Sequence, residues 1–131
     1  MKKVLFICVH NSCRSQMAEG FGRALGKNLI EVRSGGTEEG HQVDPLAIEV
    51  MKDKGIDISN HVSKEVDSWD WADRLIVMGC DAEESCPALF VPKLENWDLD
   101  NPKGKQMDEY RRVRDLIEEK VRELIEEEKK G

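Results

Sequence analysis

Val4-Leu5-Phe6-Ile7-Cys8-Val9-His10-Asn11-Ser12-Cys13-Arg14-Ser15 is the stretch on which the fold turns. An unbroken apolar run from Val4 to Val9 is too short for a helix of its own. It suits a parallel strand covered on both faces. A short polar loop, His10 to Arg14, follows it, and Ser15 is placed to cap a helix in which Ala18, Phe21 and Leu25 recur at helical spacing. Gly26 ends that helix. The pattern is strand, tight loop, helix.

Working outward, Leu29 to Arg33 reads as a second strand with Ser34-Gly35-Gly36 as its turn. Asp44-Pro45 is a helix start, an N-cap acceptor followed by proline in the first turn. Leu46 to Lys54 continue that helix and Gly55 suits its left-handed end. Asp73 to Gly79 predicts a third buried strand and Leu89 to Leu94 a shorter fourth. From Lys105 onward Tyr110, Val113, Ile117, Val121 and Leu124 share one face of a long helix, whose charged remainder is a solvated face. Trp69 and Trp71 read as packing residues. The alternation predicts a three-layer α/β fold, a four-stranded parallel sheet flanked by helices with right-handed crossovers, in one domain over 1–131.

Composition narrows the function. The 131 residues are 39% hydrophobic and 36% charged, with a formal net charge of −7. That balance argues against a nucleic-acid binder, which needs a basic stripe. No segment approaches the roughly 20 apolar residues of a membrane span. The apolar run after Lys2-Lys3 leads into His10-Asn11-Ser12 without a cleavage site, so it is read as a strand and the protein as cytoplasmic. The expected assembly is a monomer.

Active sites in parallel sheets lie at the carboxyl ends of strands. Cys8 and Cys80 both fall at or just past such ends. Cys8 and Arg14 form Cys-x5-Arg across the loop. Backbone N–H groups of a tight loop and a helix N-terminus bind a tetrahedral oxyanion, so His10, Asn11, Ser12, Cys13, Arg14 and Ser15 are the candidate oxyanion-binding stretch. Arg14 adds a planar fork for two anion oxygens. The same field favours a thiolate at Cys8, since activated cysteines titrate at ~3.5–7.5 against ~8.5 ordinarily. Ser15 can donate to that sulfur and Asn11 can brace the loop. Cys13 reads as a small loop filler. The second cluster, Cys80 and Cys86, holds two further thiols. A zinc site from the four cysteines is disfavoured by the gaps between them, and no metal ligand set is expected.

The stretch Val4 to Gly20 (through Gln16-Met17-Ala18-Glu19) resembles the phosphate-binding loop and first helix of thioredoxin-coupled arsenate reductases. That family shares its fold with low-molecular-weight tyrosine phosphatases. The similarity continues through Gly55-Ile56-Asp57-Ile58-Ser59-Asn60-His61, Asn96-Trp97-Asp98 and Arg111-Arg112-Val113-Arg114-Asp115, nearly the whole chain. It implies an enzyme that reduces arsenate to arsenite, with phosphate and sulfate as competing oxyanions. Cys8 attacks the anion, Cys80 and then Cys86 relay a disulfide, and an external reductant, thioredoxin or a similar thiol, regenerates the chain without any bound cofactor. Some members carry the second cysteine one position earlier, where this chain has Gly79.

The phosphatase relatives use an aspartate before a proline as general acid and tyrosines after it. Here that aspartate position holds Asn101, with Asp100 adjacent as the candidate substitute, and Lys103-Gly104-Lys105 offers no tyrosine. A tyrosine phosphatase using Cys8 and Arg14 is therefore the alternative, and a non-catalytic anion-binding or redox-sensing module a third reading. Some members also hold potassium through an asparagine, a glutamate, a serine and an aspartate. The first three match Asn11, Glu19 and Ser34, while Lys64 stands in the fourth place with an ammonium to replace the cation.

Overall fold

A computed structural model describes residues 1–8, 10–37, 42–79 and 94–130 of the chain. Four strands, β1 (Lys2–Cys8), β2 (Ile30–Gly36), β3 (Arg74–Val77) and β4 (Leu94–Asn96), form one parallel sheet in the order β2-β1-β3-β4. Three α-helices, α1 (Arg14–Leu25), α2 (Pro45–Lys52) and α3 (Met107–Lys130), with one 3₁₀ turn at Trp69–Trp71, make up the helical structure of the described residues. Parallel pairing with helical connections is the expected α/β arrangement.

Period-two alternation along β1 divides the core. Val4, Phe6 and Cys8 face a cluster that α1, α2 and α3 build with Met17, Phe21, Met51, Val113, Ile117 and Val121. Leu5 and Ile7 face the other way, against Leu75 and Val77, where Val66, Trp71 and Ala72 cover them. Trp71 is a packing residue as expected, with the Arg33 guanidinium 4.1 Å from its ring centroid. The side chain of Trp69 lies outside the described residues.

Boundaries differ where tertiary contacts override local signals. Ser34-Gly35-Gly36 is not a turn: β2 runs through it, pairing Gly35 with Ile7 and Gly36 with Cys8. A bare backbone is needed there, because a Cβ on Gly35 would lie 2.6 Å from Val66 Cγ2. Ser15 does not cap α1, since the helix begins at Arg14 with Cys13 in the N-cap position. Its hydroxyl is directed to Cys8 instead. Asp44 does cap α2, its Oδ1 accepting the Leu46 N–H at 2.9 Å, and Gly55 adopts φ 75° beyond the helix end. The described fourth strand starts at Leu94, and residues 89–93 of the expected strand lie outside the described residues.

The longest helix is anchored twice. Its apolar stripe sinks into the core, and near its C-terminus Glu127 and Glu128 reach Arg74 at 3.0 and 2.9 Å, while Glu95 also pairs with that arginine at 2.7 Å. The stripe dominates, since exposed ion pairs contribute only ~0–1 kcal/mol each. No described helix is long and apolar enough to cross a membrane. Replacing Ile117, which is fully buried at the centre of the stripe, by alanine is expected to lower the unfolding free energy by about 2–5 kcal/mol. Urea denaturation followed by circular dichroism measures this, and an unchanged midpoint would remove α3 from the core.

Candidate active site

The site begins where β1 ends. Hydrogen bonds hold the strand on both sides, Met78 N–H donating to the Ile7 carbonyl at 2.9 Å and Thr37 N–H to the Cys8 carbonyl at 3.2 Å. The loop then turns through Asn11, which adopts φ 52°, a left-handed conformation that asparagine tolerates better than other side-chain-bearing residues. The chain enters α1 at Arg14. Cys13, the N-cap residue, makes no side-chain hydrogen bond to the first turn. That leaves the helix terminus suited to an anion.

Loop geometry is set by buried amides. Asn11 is fully buried, and its Nδ2 donates to Ser15 Oγ at 2.8 Å. The Ser15 hydroxyl also lies 2.8 Å from Cys8 Sγ, and it is the donor whenever that sulfur is a thiolate. Gln16, also fully buried, donates Nε2 to the Asn11 carbonyl and side-chain oxygens and to the Val62 carbonyl, at 3.1, 2.8 and 3.1 Å. Its Oε1 therefore accepts, which places the His61 proton on Nδ1, 2.9 Å away.

Arg14 is only 3% exposed, and its Nη1 donates to the Leu99 carbonyl at 2.6 Å. Gly79 packs so closely on this guanidinium that a Cβ there would strike Nη1 and come within 2.7 Å of Leu99 O. A side chain at position 79 would have to displace the guanidinium or the Leu99 carbonyl from this arrangement.

The structure thus brings Cys8, Asn11, Arg14 and Ser15 together with the backbone of His10 and Ser12. Cys13 is buried, and its thiol is pushed up mainly by burial, with Asp44 and Cys8 adding to the rise. It stays a neutral packing group. Asp100 is not gathered into the loop: its carboxylate meets Arg112 at 2.8 Å on the surface, three-quarters exposed. Asn101 spends its side-chain oxygen on the Lys103 N–H at 3.1 Å, closing a turn. Cys80 and Cys86 lie outside the described residues. A cavity of about 300 Å³ opens beside the loop, lined by His10, Ser12, Gln42, Asp44, Pro45 and Lys103. Sequence reasoning missed Gln16 and Asp44 as loop supports. For Asp44 the helix-cap signal was present but its second oxygen and its N–H were not legible.

Behind the loop sits a buried carboxylate, Glu19. Ser34 Oγ donates to its Oε1, Arg23 Nε lies 3.0 Å from Oε2, and Lys64 Nζ lies 3.6 Å from Oε1. Two of the three oxygen ligands expected for a potassium ion are thereby engaged, Glu19 Oε1 by Ser34 and Lys64, and Asn11 Oδ1 by Gln16 and by the Lys64 N–H at 3.1 Å. The set does not fit a cation in addition to the ammonium. Lys64→Asp is expected to make thermal stability potassium-dependent, with a Tm higher in potassium than in lithium at equal ionic strength. Identical Tm values in both salts would refute the substitution of ion by ammonium.

His61, partly buried beside Gln16 and 3.7 Å from Glu19, has its pKa lowered from 6.5, chiefly by burial, with Glu19 opposing. A depressed histidine favours the neutral form in the fold, so its contribution is present above pH 6.5 and lost as pH falls below it. Stability of the wild type should drop from pH 7.5 to pH 5.5 more than that of His61→Gln, measured by denaturant titration at each pH; parallel profiles would contradict this.

This assembly has close counterparts among known proteins. Arsenate reductase 2 of Staphylococcus haemolyticus (strain JCSC1435) is 47% identical over 119 residues, spanning 88% of this chain and 90% of that protein. A solved arsenate reductase in the phosphate-binding state superposes with a TM-score of 0.86 at 40% identity, covering 97% of this chain and 98% of the other. Another, in an oxidised state, gives 0.83 at 37% identity over 98% and 99%. The family described as low molecular weight phosphotyrosine protein phosphatase matches residues 3–131. With the Cys8–Arg14 loop at the end of β1 and near-complete coverage, the chain belongs to that family.

Proposed function

We propose that this protein reduces arsenate to arsenite, with Cys8 as the nucleophile and Cys80 and Cys86 as the relay thiols. The observation that carries the oxyanion half is the Cys8 Sγ–Ser15 Oγ bond of 2.8 Å at a helix N-terminus that also presents a buried arginine. A serine hydroxyl aimed at sulfur stabilises a thiolate, and the arginine and helix terminus hold the anion it attacks. What favours reduction over ester hydrolysis is the acid position. Asn101 is a turn-former, and Asp100 is paired with Arg112. Names of the similar proteins point the same way.

The reaction balances over two electrons. The Cys8 thiolate displaces one oxygen of arsenate, which leaves as water after protonation, and an S–As(V) bond forms. The Cys80 thiolate then attacks Cys8 Sγ. The S–As electron pair goes to arsenic, arsenite departs, and Cys8–Cys80 is left as a disulfide. Cys86 attacks Cys80, frees Cys8 and leaves a Cys80–Cys86 disulfide for an external dithiol of the thioredoxin class. The reading asks for no resident cofactor. It suits a monomer in the cytoplasm, where protein thiols are kept reduced.

A second reading, phosphomonoester hydrolysis, is favoured by the family's own description and uses the same Cys8–Arg14 loop. A coupled assay with arsenate, thioredoxin, thioredoxin reductase and NADPH separates the two. The wild type should consume NADPH continuously, Cys80→Ser should show none, and Cys86→Ser should release one arsenite per chain and stop. Absence of arsenate-dependent turnover beside steady hydrolysis of an aryl phosphate would sink the reductase reading.

A further inference from the structure

Tyr110 sits on the first turns of α3 with its ring in the core, only 2% exposed. Packing accounts for the ring but not for where the hydroxyl goes. The O–H donates to Asp44 Oδ2 at 2.5 Å, and the phenol oxygen itself accepts the Gly104 N–H. Asp44 passes the connection on: its Oδ1 accepts the Leu46 N–H at 2.9 Å, and its own N–H donates to the Ser12 carbonyl at 2.7 Å. One phenol oxygen therefore joins α3, the start of α2, the oxyanion loop and the segment 97–104.

That last segment matters because it carries Leu99, whose carbonyl holds Arg14 Nη1 at 2.6 Å. Its other supports reach the sheet, α3 and the segment itself, the Asp100 carboxylate meeting Arg112 at 2.8 Å. The Leu99 N–H donates to the Met78 carbonyl at 2.7 Å, Asn101 closes a turn on Lys103, and Lys105 N–H donates to the Pro102 carbonyl. Gly104 turns with φ 84° and presents its N–H to the tyrosine. The guanidinium is thus referenced to the sheet through Met78, and its carbonyl clamp is referenced to the oxyanion loop through Tyr110 and Asp44.

We propose that Tyr110 is a positioning residue for the oxyanion site: its hydroxyl locks segment 97–104 against the loop, so that the Leu99 carbonyl holds Arg14 in register with the anion. A buried tyrosine suits this, being a rigid strut with two side-chain torsions on a well-packed helix. Burial, and then the Asp44 carboxylate, push its hydroxyl well above the ordinary phenol range, so it remains a donor across the working pH range. Misplacing a charged clamp by about 1 Å costs up to ~100-fold in a site of this kind.

The inference rests on the loop being an oxyanion cradle, and the test separates the two. Inorganic phosphate binding is measured by calorimetry, well below Tm, for wild type, Tyr110→Phe, Asp44→Asn, their double variant, and Ile117→Ala. Tyr110→Phe is expected to weaken phosphate binding and to lower kcat/KM for arsenate by about 10- to 100-fold. The double variant should lose no more than the worse single one, because both act through one contact. Ile117→Ala, unstable but remote from the hydroxyl, should bind phosphate as wild type does. Phosphate affinity and arsenate KM in Tyr110→Phe that match the wild type would overturn the proposal while leaving the cradle intact. Failure of the wild type to bind phosphate would overturn both. Should Tyr110→Phe fail to fold, Asp44→Asn is judged by the same criterion.

Discussion

A left-handed residue at Asn11 is the constraint from which the site follows. The chain must leave a parallel strand and enter a helix within six residues, and a turn that tight needs one residue at positive φ. Glycine would supply the angle without supplying contacts. Asparagine supplies both, because its amide can meet two directions at once. Nδ2 fixes Ser15, and Oδ1 takes the amide of Gln16 and the backbone of Lys64. Every one of those bonds is inside the protein, where an unmade one would cost ~1–3 kcal/mol. The loop is rigid because slackening it would orphan several buried groups together.

Rigidity of this sort prepares a place for charge. An anion bound at the loop would gain from Arg14 and from the uncapped terminus of α1, both held away from water. The surrounding molecule is acidic, so this attraction has to be local. Glu19, lying behind the loop, would oppose an anion if left alone. Arg23, Lys64 and the Ser34 hydroxyl surround it and return that carboxylate to near neutrality as a group. The charged side chains around Glu19 thus serve the oxyanion site from behind the loop.

Much of this was legible in the sequence, and the reasons for the rest are physical. Strand β1, the α2 cap at Asp44-Pro45 and the stripe of α3 were readable because each signal is local, set by run length, a cap or a 3.6-residue period. Cys8, Asn11, Arg14 and Ser15 were readable because their spacing is contained in one loop. Gly35 and Gly36 were misread as a turn, since glycine pairs mark both turns and close packing, and only Val66 from a distant segment decides which. Ser15 was misread as a cap because the competing acceptor, the Cys8 thiol, lies seven residues away. Gln16, buried and bonded to residues 46 positions distant, gave no sign of its role.

The placement of Gly79 ties the central sheet to the anion site. Residues 74 to 77 carry β3 along β1, and Met78 continues the hydrogen bonding by donating to Ile7. The next residue rests on the Arg14 guanidinium with no room for a side chain. The end of β3 therefore leads straight to the anion-binding arginine. A bulkier residue at 79 would displace Arg14 and Leu99. The anion-binding arginine therefore depends on the bare Cα of Gly79 as well as on its own loop.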